Sequence, residues 1–163
     1  MRKLSSQDME DLLNGGLILG CGGGGEPQAG KALIEEVYRN GKDFYLIDLE
    51  EMDDEGIYCL ISYVGGGISE EEKALIKGLK KTVEHPILKV AQELSRFLGK
   101  EFSGYYPSEI GAGNTIAAMF VAAMEEKPTL DGDTAGARSK PETAISTTHI
   151  VGIHPDPIAV VNA

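Results

Sequence analysis

The 163-residue chain contains no tryptophan, only two cysteines and three histidines, and aromatic residues make up just 6% of it. Cys21 and Cys59 are too few for a disulfide framework or a cysteine-based zinc set. Basic residues are scarce: 15 Lys and Arg stand against 26 Asp and Glu, a formal net charge of −11. Nucleic-acid binding needs a basic footprint, so the composition argues against it. No apolar run approaches the roughly 20 residues of a membrane span. The start, MRKLSSQDMEDLL, turns polar and acidic with no apolar core of a signal peptide. Internal repeats and low-complexity linkers are also missing. These absences leave a globular, cytoplasmic chain whose length suits a single domain over residues 1–163.

Glycine is the residue in excess, with 21 in the chain, and it is clustered. Five of the six residues from Gly20 to Gly25 are glycine, the sixth being Cys21. Glycine loses more freedom on folding than any other residue, so such a run needs a sharp turn or a close approach to its backbone. Further glycine turns occur at Gly65–Gly67, at Gly111–Gly113 and in GDTAG at 132–136. Acid is clustered too: DLEEMDDE (48–55) holds six carboxylates in eight residues and reads as a solvated loop.

Periodicity places the elements. Ser5 or Ser6 can cap a helix carrying Met9, Leu12 and Leu13; Asn14-Gly15-Gly16 offers it a stop signal, and Leu17 is in phase if it continues. Pro27 suits the first turn of a second helix closed by Gly41. DFYLIDLE (43–50) and GIYCLISYVGGG (56–67) read as strands, the latter apolar enough to be buried on both faces. Ser69 and Glu72 form a capping-box pattern. Pro86 opens a helix with Ile87, Val90, Ala91, Leu94, Phe97 and Leu98 on one face, His85 preceding it. EFSGYYPSEIGAGN (101–114) starts as a strand and ends as a glycine turn, where Asn114 can cap TIAAMFVAAMEEK, a helix apolar almost all round. TLDGDTAG, ETAISTTHIVGI and DPIAVVNA supply later strands. The alternation predicts an α/β fold with a mostly parallel or mixed sheet covered by helices.

In such sheets the carboxyl ends of strands share a rim, and ligands bind there. Three of the glycine turns follow predicted strands, which puts glycine-rich turns at one rim and suggests a single site. Glu109, Asn114, Asp131, Asp133 and Arg138 are its polar residues. Carboxylates at strand ends can act as acid or base or hold a divalent cation; Asp131 and Asp133 are equally explained as turn chemistry. His149 and His154 define no metal site. Cys21 reads as a small packed residue more readily than as a nucleophile. Gly20, Gly22 and Gly25 also satisfy G-x-G-x-x-G, with Asp48 near the position of a ribose-binding acid. A dinucleotide-binding oxidoreductase would need a strand before the tract, and only LIL is available.

LGCGGGGEP after an N-terminal helix, EIGAGNT before an apolar helix, and DGDTAGARSKPETAISTTHI near the end resemble the N-terminal domain of the S-methyl thiohydantoin desulfurase family. That family is linked to hydantoinase and oxoprolinase enzymes. Cys21 stands where the family usually has Thr, and ARSKPE keeps Arg138, Pro141 and Glu142 but lacks the usual aromatic residue. Members resemble chains about twice as long, with a second domain after the segment matching HPDPIAVVNA. The resemblance implies cleavage at a ring-bound sulfur or ring amide of a small cyclic amide or thiohydantoin-like compound. Glu109, Asp131 and Asp133 are then the catalytic candidates, and Gly22, Gly23, Gly24, Gly25, Gly113, Asn114 and Arg138 the ligand-binding ones. It also implies a small-molecule ligand, a homo-oligomer, or a separate chain that supplies the second domain. A non-catalytic binding or assembly subunit is the other reading. The sequence names no cofactor and no metal.

Overall fold

The computed structural model describes residues 1–63, 69–79, 82–135, 152 and 157–160. The expected Gly65–Gly67 turn, Gly136, Arg138, His149, His154 and the strand ETAISTTHIVGI lie outside them, as does the end of DPIAVVNA.

Among the described residues, five strands form one mixed sheet in the order β1-β2-β5-β4-β3. β2 (Tyr45–Ile47), β3 (Tyr58–Ile61), β4 (Gly104–Pro107) and β5 (Thr129–Leu130) run parallel. β1 (Arg2–Lys3) adds antiparallel to β2 at the edge, a two-residue strand too short for periodicity to reveal. The helices are α1 (Ser6–Gly20), α2 (Pro27–Arg39), α3 (Glu70–Ile76), α4 (Pro86–Leu98) and α5 (Asn114–Met124). The α/β fold with a mixed sheet is therefore as expected.

α5 is the centre of the domain. All its residues but the last are buried, and it packs on β3, β4 and β5 as well as on α2 and α4. An all-apolar helix needs that position, since every face must find a partner. Cys59, Ile61 and Tyr105 point from the sheet into the same core, joined by Phe102, Phe44, Met9 and Val37. Along β3, Cys59 and Ile61 are buried while Tyr58 and Leu60 are half-buried, so the strand is not buried equally on both faces.

Local chemistry sets the ends. The Ser5 hydroxyl accepts from the amide of Asp8, whose carboxylate accepts from the Ser5 amide and hydroxyl, both at 2.7 Å. Those bonds hold the Asp8 carboxyl below its ordinary pKa. Pro27 and Pro86 open α2 and α4. Asp48 ends β2 early by capping a 3-10 turn, Leu49–Glu51, so the expected strand over 43–50 is shorter. Along α4, Ile87 and Ala91 are buried and Leu94 and Leu98 pack on the core, but Phe97 is 78% exposed, off the expected face.

Of the two ends open to α1, the structure takes the later one, past Asn14-Gly15-Gly16. α1 continues through it and ends at Cys21, which takes the left-handed conformation with φ 48°. Gly16 instead faces the backbone of Gly111 and Ala112, where a Cβ would lie 3.0 Å from main-chain atoms. It is a contact glycine, not a terminator. Among the described residues, no helix is long and apolar enough to cross a membrane.

Candidate functional site

With β2 to β5 parallel, their carboxyl ends share one rim. Three of the segments leaving it bond to one another. Past β4, the Ser108 hydroxyl donates to the Ser62 hydroxyl beyond β3 at 2.9 Å. The Ser108 carbonyl accepts from both the amide and the hydroxyl of Thr134 beyond β5, at 3.2 and 2.9 Å. Next in sequence, Glu109 is only 6% exposed, and its Oε1 accepts from Asn114 Nδ2 at 2.6 Å. A buried carboxylate with a side-chain amide donor is fixed in orientation, which an acid–base group requires.

The glycine tract joins the same loop. The Gly24 carbonyl accepts from the amides of Gly113 and Asn114, both at 2.9 Å. A Cβ at Gly111 would overlap the Gly24 backbone, and one at Gly113 would lie 2.8 Å from the Gly25 Cα. A Cβ at Gly30 would overlap the Ala112 carbonyl oxygen. What approaches the glycines so closely is thus another part of the chain. The Gly23 amide donates to Gly20 and the Gly111 amide to the Thr115 hydroxyl. Several of the main-chain donors expected to meet a ligand are therefore engaged internally.

Asn114 does not cap α5 with its side chain, which is turned to Glu109; Gly113 is the capping position. The helix N-terminus that could attract an anion is occupied by the Gly24 carbonyl. The tract itself connects α1 to α2, helix to helix. That removes the strand a dinucleotide fingerprint requires, and with it the oxidoreductase reading.

Asp131 and Asp133 stand just past β5. The Asp131 amide extends the ladder to Ile47 at 2.9 Å, and Asp133 Oδ1 accepts from the Ala135 amide at 2.8 Å, the turn chemistry typical of Asp. Asp133 also lines a cavity of about 220 Å³ with Leu49, Met52, Tyr58, Tyr106, Leu130 and Gly132. Burial raises the Tyr106 phenol above its ordinary pKa, so it stays protonated. Sequence reasoning missed Ser62, Ser108 and Thr134, as well as the tyrosines of this cavity. Their only signal was position at or beside a strand end. Arg138 lies outside the described residues. No group of three His, Cys, Asp or Glu among the described residues is placed to hold a metal ion.

A mostly parallel five-strand sheet packed with helices, its strand-end segments bonded to one another, defines an α/β domain. The model of the S-Me-THD-like N-terminal domain matches residues 7–163, and the chain belongs to that family. A crystal structure of a protein from Chromobacterium violaceum has a similar fold, with a TM-score of 0.73 at 24% identity. The match covers 93% of this chain and 40% of that one, so the present chain spans well under half the length of that relative. No curated protein matches the chain.

Proposed function

We propose that this domain supplies acid–base groups to an enzyme that cleaves a small cyclic amide or thiohydantoin-like compound at a ring amide or at a ring-bound sulfur. The observation that carries the reading is the buried Glu109 carboxylate, oriented by Asn114 on the loop that also binds the glycine tract and the segment after β5. In this reading Glu109, Asp131 and Asp133 are the acid–base candidates. One takes a proton from the attacking water as its oxygen bonds to the ring carbon, and one gives a proton to the leaving atom, the ring amide nitrogen in one case and the ring-bound sulfur, released as a thiol, in the other. Arg138 and amides within Gly22–Gly25 hold the carbonyl oxygen as it gains charge; Gly113 and Asn114 shape the loop that presents them.

The test is turnover of S-methyl thiohydantoin and of hydantoin, followed by mass spectrometry. Glu109→Gln keeps an acceptor for Asn114 and removes the titrating group, so the rate should fall about 10²-fold or more while the fold survives. Undiminished rates in both Glu109→Gln and Asp133→Asn would defeat the proposal.

A second reading is supported by the 40% coverage of the Chromobacterium chain. Here the domain binds the ring but turns it over only beside a second domain. Calorimetric binding of hydantoin without turnover by the chain alone favours this version.

A further inference from the structure

The first half of α1 turns its large apolar residues inward: Met9 is fully buried, and Leu12 and Leu13 pack on the core. In the second half the pattern inverts. The buried positions are Gly16 and Gly20, while Leu17, Ile18 and Leu19 are 43%, 75% and 47% exposed. The cause is the close approach of Gly16 to Gly111 and Ala112, which leaves no room for a side chain on that face. Three consecutive helical residues fan over about 200° of the helix surface. No rotation of α1 can therefore bury all three against this domain, and no flat surface can cover them. Beside them lies a groove of about 330 Å³ whose lining includes Leu4, Leu12, Leu19 and Ile110, with Asp8 and Asp11. Contiguous exposed aliphatics next to a groove mark an interface.

The length of the Chromobacterium relative supplies an occupant for it. More than half of that chain lies outside the match, and the family domain matched here, which contains α1, is by description the N-terminal one. We propose that the last turn of α1 and the adjoining groove dock the second domain that longer relatives carry, through an apolar concavity that closes around Leu17, Ile18 and Leu19. The proposal does not depend on the chemistry suggested above.

Two measurements test it. In this chain, Ile18→Lys should shift the thermal midpoint by less than about 2 °C, because the side chain contributes little inside the domain. In the intact Chromobacterium violaceum protein, lysine at the position structurally aligned with Ile18 should loosen the two parts, seen as cleavage between them by limited proteolysis at least tenfold faster. A fall of more than about 5 °C in the first experiment assigns the residue to this domain's own fold and overturns the proposal. So does unchanged proteolysis in the second. Sedimentation of this chain as a dimer that Ile18→Lys dissociates would give the surface to a second copy, and would also overturn it. Loss of ring turnover alone touches neither readout.

Discussion

The carbonyl oxygen of Gly24 accepts a hydrogen bond from the Asn114 amide at 2.9 Å, and a second, equally short, from Gly113. One residue of the tract thus caps the central helix α5 from outside its own sequence neighbourhood. Two donors that would otherwise be orphaned at a buried helix start are satisfied. The tract and the 111–113 turn lie backbone against backbone.

Glycine substitutions should therefore divide by contact. Gly111→Ala and Gly30→Ala drive a methyl group into main chain that cannot move aside, the Gly24 backbone in one case and the Ala112 carbonyl in the other. Each should cost about 3 kcal/mol or more, at or beyond the usual upper range for overpacking. Gly15→Ala meets nothing within 4 Å and sits inside α1, so it should stabilise by about 0.5–1 kcal/mol. Urea denaturation checks all three, and equal midpoints across the set would contradict the contact reading.

Glu109 separates structure from chemistry. Glu109→Ala leaves the Asn114 amide buried without this acceptor and should cost about 1–3 kcal/mol. Glu109→Gln keeps an oxygen for that bond and should cost clearly less. The stability difference between the two variants, read from denaturant midpoints, checks the buried bond without reference to any substrate.

Much of this was legible because local chemistry and packing agree. Ser69 and Glu72 exchange the bonds of a capping box, the Ser69 hydroxyl accepting from the Glu72 amide and the Glu72 carboxylate from the Ser69 amide. Pro27 and Pro86 begin helices, and the apolar run after Asn114 is the buried α5. Legibility failed where a distant segment decided the outcome. Asn14-Gly15-Gly16 carries a stop signal, yet the approach of Ala112 to Gly16 makes the same glycine a helix interior. The Ser108 to Thr134 bonds depend on β4 and β5 being neighbours, which periodicity does not state. The tract's excess of glycine was visible, but that its close partner is the 111–113 turn was not.

His85 and Glu36 tie α4 to α2 over the central helix. Their side chains meet at 2.7 Å, each 23% exposed, and the His85 ring lies 5.2 Å from that of Phe120 on α5. A partly shielded pair of this kind should show a coupling energy of about 1 kcal/mol, above the exposed-pair median. A double-mutant cycle with His85→Ala and Glu36→Ala measures it. Additive effects there would mean that the Phe120 contact, and not the pair, is what His85 contributes.

The two thiols should behave oppositely. Cys21 is exposed at the end of α1, whereas Cys59 is buried in the core face of β3 and its pKa is pushed up to about 12 by burial. A thiol-reactive reagent at pH 8 should thus modify one group per native chain, the second reacting only on unfolding. Cys59 also sets a sign for alkaline stability. The unfolded thiol loses its proton near pH 9, while the folded one keeps it to about 12. Between those values the folded state binds more protons, so stability falls as pH rises, by up to about 1.4 kcal/mol per pH unit from this group. Cys59→Ala should flatten that part of the curve while leaving a cavity cost that does not vary with pH. Denaturant midpoints for both proteins from pH 8 to pH 10.5 would show it, and parallel curves would place the alkaline loss on other groups, with Tyr105 next, since burial raises its phenol above the ordinary value too.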